Sequence, residues 1–295
     1  MKESKLVLGT VQFGLKYGIA NTGDKPAPEL VRQILQKAYD RGIRTLDTAA
    51  AYGESETVLG TELADLGLSD KMKIVSKVPP MPENLSDSEA EKFIMDSIEN
   101  SLKNLQINQL DAVLFHRESN LKYLKFLQKA ENLGLTRNTG ASFDGMITEN
   151  AYECKAIQVP GNVLDRRFLE FIRQAHKNGT KVYNRSVYLQ GLLLMDESRI
   201  PEPLKEIIAY RKKLEALAAA AGITPAELYV RYLFSIPEID GVLTGVDNVE
   251  QLEYNCNVAD AGALDKEILE RIFTTIPELP EYIIRPCIWA ANKWV

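Results

Sequence analysis

The chain has 295 residues, 45% of them hydrophobic, with 41 acidic against 35 basic side chains and a formal charge of -6. Such a length and apolar content suffice for a large core, and the acidic balance weighs against nucleic acid or an anionic membrane surface as the main partner. No apolar run approaches the ~20 residues that a bilayer span requires.

Short β-type runs alternate with helical patterns from end to end. The expected strands are Leu6–Thr10, Ile43–Asp47, Lys73–Lys77, Asp111–His116, Arg137–Ser142, Ala156–Val159, Lys181–Ser186 and Gly241–Gly245. Between them lie amphipathic stretches such as ELVRQILQKAYDRG, where Leu30, Ile34, Leu35 and Ala38 share one helical face. Ser86 with Glu89, and Thr224 with Glu227 after a proline at the first helical position, read as capping boxes. Gly42 and Gly134 follow polar last turns, where a left-handed cap is expected. Eight such units imply a (β/α)8 TIM barrel, an α/β fold in a single domain over residues 1–295. An open doubly wound sheet needs a G-x-G-x-x-G turn after the first strand, and none is present. The segment MDESRIPEPLKEIIAYRKKLEALAAAAG exceeds a simple connection and is expected to hold a loop at the catalytic face and then a helix.

Four polar residues stand out. Asp47, Lys77 and His116 each end a short apolar run, and Tyr52 lies in the turn after Asp47. Buried strands that each deliver one ionisable group at their C-terminal edge converge on a single mouth. A tyrosine with its ordinary pKa near ~10 is a weak acid at neutral pH. A neighbouring lysine stabilises the phenolate and lowers that pKa, a carboxylate holds the lysine charged, and an imidazole orients a carbonyl oxygen. The set suits proton donation to oxygen rather than covalent catalysis. Two distant histidines (His116 and His176) and no clustered Cys/His leave no metal site, and no G-x-S-x-G marks a serine nucleophile. Singly, each residue has a plain reading as a cap, a loop aromatic or a surface charge. His176, at a helix C-terminus, fits a solvated role complementing the dipole.

In this order the four residues resemble the catalytic Asp, Tyr, Lys and His of the aldo/keto reductase superfamily. TLDTAAAYGESETVLG is similar to the stretch carrying its Asp and Tyr, IVSK to the strand ending in its Lys, and LDAVLFHR to the strand ending in its His. The resemblance runs from LGTVQFG to VEQLEYN, and it implies that Asp47, Tyr52, Lys77 and His116 are catalytic and that a nicotinamide supplies the hydride. It further implies cofactor contacts at Gly9 and Thr10, at Ser142 in GASFDG, at Gln158 in IQVPGN and at Arg185, Ser186 and Gly191 in NRSVYLQG. In TGVDNVEQLEYN it implies Gly245, Asp247, Gln251 and Asn255. Two departures from the family pattern are Phe143, where many members have Asn, and Arg185, where many stack an aromatic residue on the nicotinamide; a planar guanidinium can also stack. NADP(H) is the cofactor the family implies. NAD(H) stays open, because Gly245 and Gln251 replace basic residues and Asp247 adds an acid near the ribose.

The expected activity is reduction of an aldehyde, ketone or sugar to an alcohol, or the reverse, on a small-molecule substrate. A cofactor-binding regulatory or redox-sensing subunit, and a barrel enzyme of unrelated chemistry such as an isomerase, are the alternatives. The tail LPEYIIRPCIWAANKWV is expected to pack across the barrel mouth and help shape the substrate pocket. Sparse cysteines (Cys154, Cys256 and Cys287) without CxxC, and an N-terminus lacking a long apolar core, lead us to expect a cytoplasmic protein with reduced thiols, monomeric by default.

Overall fold

Eight short apolar runs become eight parallel strands that close on themselves, each bonded to the next and the eighth to the first. The structure is a computed structural model and describes residues 3–19 and 23–295. The strands are β1 (Leu6–Gly9), β2 (Thr45–Asp47), β3 (Lys73–Val78), β4 (Ala112–Phe115), β5 (Thr139–Ser142), β6 (Ala156–Pro160), β7 (Lys181–Arg185) and β8 (Gly241–Gly245). The short α1 (Val11–Gly14) and α2 (Pro28–Asp40) follow β1, and α3 (Ser55–Asp65), α4 (Asp87–Leu105) and α5 (Leu124–Asn132) follow β2, β3 and β4. After β6 comes α6 (Leu169–Lys177); α7 (Ile207–Ala220) and α8 (Pro225–Phe234) follow β7. Beyond β8 lie α9 (Val249–Asp260), α10 (Lys266–Thr275), α11 (Glu281–Ile284) and α12 (Pro286–Ala291). The chain therefore folds as a (β/α)8 TIM barrel. The β5–β6 connection carries a 3-10 turn, Glu149–Glu153, in place of an α-helix, while β1 and β7 are each followed by two helices.

Strand alternation sorts the side chains into two cores. Outward residues such as Leu8, Leu46, Ile74, Val113 and Val182 join the helix faces in the large outer cluster. Val7, Val75, Leu114, Ala156, Tyr183 and Leu243 form a separate cluster inside the barrel. Two residues further along each of those strands, on the same inward face, stand Gly9, Lys77, His116, Gln158, Arg185 and Gly245. The register pairs Gly9 with both Asp47 and Gly245, and Ser142 with Gln158. An apolar layer closes the barrel, and the layer above it is polar. That step locates the functional mouth.

Local signals explain the helices. In α2, Pro28 occupies the first turn, Val31, Ile34, Leu35 and Ala38 are buried, and Gly42 ends it at φ +82. Ser86 and Glu89 cap α4 reciprocally. Thr224 accepts from the Glu227 amide at the start of α8, but the Glu227 carboxylate bonds Arg231, so only half of that expected box forms. The long segment after β7 does hold turns and then α7. Among the described residues, no helix is long and apolar enough to cross a membrane.

The tail departs from expectation in part. Trp289 is fully buried and its indole N–H donates to the Tyr282 carbonyl at 2.7 Å, while Arg285 reaches Asp144 just past β5. The tail thus meets the edge of the mouth, yet none of its residues lines the cavity described next. Its influence there runs through Asp144.

Candidate active site

At the C-terminal end of β2, Asp47 is fixed by two donors. Lys77 Nζ lies 2.7 and 2.8 Å from its carboxylate oxygens, and Gln158 Nε2 donates to Oδ1 at 2.7 Å. Lys77 also donates to the Thr48 carbonyl at 2.8 Å, and its side chain is 1% exposed. Burial alone would pull a proton off this lysine. The Asp47 charge, with Tyr52, reverses that and holds its pKa above the ordinary value.

Tyr52 is delivered by a turn that a second segment braces. Its amide donates to Ala49, and Gly53 takes φ +57 immediately after it. Gly14, at the end of α1, lies so close that a Cβ there would fall 1.8 Å from the Tyr52 carbonyl oxygen and 2.5 Å from the Ser55 nitrogen. Beneath the turn, the hydroxyls of Thr10, Thr48 and Ser55 interlock at 2.9 and 3.0 Å, and Thr10 also donates to the Asp47 carbonyl. The Tyr52 ring centroid sits 5.1 Å from Lys77 Nζ and 5.9 Å from the His116 ring, which meets it edge-on at 85°.

The electrostatics correct one expectation. Burial raises the Tyr52 pKa above its ordinary value, although Lys77 and Arg185 pull in the opposite direction. Lys77 thus limits a rise; it does not produce a net fall. His116 is pushed down to about 4 by burial and by the positive charges of Lys77, Arg185 and Arg117, so it is neutral at neutral pH. Its Nδ1 is buried and has no partner among the described residues.

A cavity of about 840 Å³ opens over these groups. Asp47 and Tyr52 line it at one end; Lys77 and His116 stand outside the lining, packed on Tyr52. Of the residues named for cofactor contact, Gly9, Thr10, Gln158, Arg185, Ser186, Gly191, Gly245, Asp247, Gln251 and Asn255 all line it. Ser142, buried at the end of β5, does not. Several of these side chains are already engaged: Gln158 with Asp47, Thr10 in the hydroxyl lattice, and Asn255 as acceptor from Tyr188 at 2.9 Å. Gln251 Oε1 accepts from the Asp247 amide at 2.8 Å, and burial raises the Asp247 pKa.

Sequence reasoning missed Gln12, Gly14 and Tyr188. Gln12 lines the cavity against Gly245, where a Cβ would come within 2.4 Å of its amide, and its Oε1 is buried without a partner among the described residues. The close approach at Gly14 carries no local signal beyond the glycine itself.

The family model described as "Aldo/keto reductase family" matches residues 5–275. The chain belongs to the aldo/keto reductase family. The aldo-keto reductase YhdN of Bacillus subtilis is 27% identical over 286 residues, covering 86% of this chain and 84% of that protein. Among solved structures, an aldo-keto reductase from Bacillus halodurans in its holo form superposes with a TM-score of 0.75 at 20% identity, covering 95% of each chain. An aldo/keto reductase from Klebsiella pneumoniae in complex with NADP and acetate gives 0.71 at 21% identity, covering 95% of this chain and 97% of that one. At those identities the superpositions show the shared barrel.

Proposed function

We propose that the protein is a nicotinamide-dependent oxidoreductase interconverting a carbonyl compound and an alcohol, with Tyr52 as the proton donor. The observation that carries this reading is the fully buried Lys77–Asp47 pair beneath Tyr52 at the head of a large cavity. Membership of the aldo/keto reductase family supports oxidoreductase chemistry.

The cavity fits a dinucleotide. It runs from Tyr52 to Asn255, it is bare at Gly9 and Gly245 where the wall would otherwise carry side chains, and Gln12 Oε1 presents an acceptor with no partner among the described residues. The cofactor, when bound, supplies the hydride. Gly9, Gly245, Gln12, Ser186, Gln251 and Asn255 are the residues that would hold it. Ser142 does not reach the cavity surface here, so a role for it in cofactor contact needs the loop after β5 to adjust. NADP(H) is the favoured form on family grounds and by likeness to the NADP-bound Klebsiella protein. Asp247 and Glu250 line the same wall and are the acids a ribose 2′-phosphate would meet.

The protein's own groups then divide the work. Tyr52 gives its proton to the substrate oxygen, and Lys77 stabilises the phenolate left behind. Asp47, steadied by Gln158, keeps Lys77 charged and fixed. His116, being neutral, presents a single N–H to the carbonyl oxygen without acting as an acid. The test is a titration of NADPH and NADH followed by protein fluorescence, then a panel of aldehydes and ketones read by NAD(P)H absorbance. Failure of both cofactors to bind below millimolar concentration would overturn the proposal.

A further inference from the structure

At the tetrad end of the cavity, one cation faces the interior with donors to spare. Arg185, at the end of β7, is anchored on one side: its Nη2 donates to the Phe143 carbonyl at 2.9 Å and to Asp144 Oδ1 at 3.3 Å. Its Nη1 lies 3.3 Å from Ser186 Oγ. A guanidinium carries five N–H donors. The Nε hydrogen and one Nη1 hydrogen therefore have no partner among the described residues, while the residue lines the cavity with its side chain 28% exposed.

The anchor is itself held rigidly. Asp144 Oδ2 accepts from Arg285 Nε and Nη2 at 3.2 and 3.0 Å and from Cys287 Sγ at 3.0 Å; Arg167 donates to its carbonyl at 3.1 Å. Glu118 faces the backbone, taking the amides of Asp144, Gly145 and Met146, and Glu281, 56% exposed, pairs with Arg285 at the rim. Asp144 is thus shared between two arginines and does not fully neutralise Arg185. Across the mouth, the Arg117 guanidinium follows His116 with no hydrogen-bond partner among the described residues. The charges of Lys77, Arg185 and Arg117 all act on His116. The cavity wall also carries Asp196, Asp247 and Glu250, together with Arg199.

We propose that the carbonyl substrate carries a carboxylate, which an unused N–H of Arg185 receives beside Tyr52. This rests on the function proposed above and names its substrate class. The two unused N–H groups lie on different sides of the guanidinium, so a carboxylate would take one charge-assisted hydrogen bond from either, which an uncharged substrate would match less strongly in a partly desolvated site.

The experiment compares 4-carboxybenzaldehyde with methyl 4-formylbenzoate, which share a ring and a reacting carbonyl, as substrates with NADPH. The ester is the more electron-poor aldehyde, so intrinsic reactivity works against the expected result. Wild-type protein should favour the carboxylate at least tenfold in kcat/KM at low ionic strength, mainly through KM, and the preference should shrink with added salt. In Arg185→Met the ratio should collapse by tenfold or more, and Arg185→Lys should restore part of it. The ratio is the readout, because any weakening of cofactor binding affects both aldehydes alike. Calorimetric titration with 4-(hydroxymethyl)benzoate and its methyl ester, with and without NADPH, reads the same contact without turnover, because an alcohol and a reduced nicotinamide have no hydride to exchange. If neither cofactor binds, the proposed function fails and the titration still decides whether Arg185 receives a carboxylate. Equal handling of acid and ester by the wild type, or an unchanged preference in Arg185→Met, overturns the inference.

Discussion

Replacing Lys77 by Met keeps the aliphatic stem and deletes the ammonium. The Asp47 carboxylate, 5% exposed, would then keep Gln158 as its one side-chain donor, and the Thr48 carbonyl would lose its bond to the ammonium. Breaking a buried ion pair by removing one partner costs about 3–5 kcal/mol, because the remaining charge is stranded away from water. At roughly 2–4 °C per kcal/mol for a large domain, the Tm should fall by about 6–20 °C. Asp47→Asn in the Lys77→Met background removes the stranded charge, so the double variant should be more stable than Lys77→Met alone. The catalytic losses should be non-additive in the same sense, since either change disables one proton-transfer device. Lys77 has a folded pKa raised above its ordinary value. The pair's stabilisation from Lys77 is therefore complete below the unfolded pKa of ~10.4 and is lost only as pH rises through the still higher folded value. Calorimetric Tm values between pH 7 and 9 should show no step from this lysine. The assay is a thermal-unfolding cycle on the four proteins with kcat measured in parallel. A double variant that loses the full sum of both single effects would refute the reasoning.

Four further outcomes are expected. Tyr52→Phe removes only a hydroxyl, so cofactor affinity should persist while turnover falls ~10²-fold or more, measured by single-turnover hydride transfer. The chain has two histidines, and an NMR titration with His116→Asn as the assignment control should find the His116 imidazole neutral until about pH 4; because that folded pKa is depressed, its neutral form favours folding above pH ~6.5 and this contribution fades as pH falls from there toward 4, and a midpoint near ~6.5 would refute it. Gly14→Ala forces a methyl onto the Tyr52 carbonyl, so the turn must shift, costing about 1–3 kcal/mol in denaturant unfolding and lowering kcat with it. Asp247→Ser should improve NADPH affinity over NADH affinity by about 1 kcal/mol at matched ionic strength; equal changes would show that Asp247 does not read the ribose.

The sequence by itself determined the barrel and the positions of its four chemical residues. Each strand is an apolar run with a period-two face, and the polar residue that breaks the run marks where the strand leaves the core. That is why Asp47, Lys77 and His116 were legible, and why the strand boundaries differed from expectation only at their ends, where pairing depends on both neighbours being present. Charge balance and close approach were not legible. Whether burial or Lys77 wins at the Tyr52 hydroxyl depends on how much water reaches it, and the net rise appears only once the mouth is assembled. Gly14 matters because a turn after β2 happens to lie against it, and Arg185 acquires its anchor from a carboxylate 41 residues earlier and a tail arginine 141 residues from that carboxylate. Periodicity and capping are local and are written along the chain; desolvation and long-range pairing are properties of distances that exist only after folding.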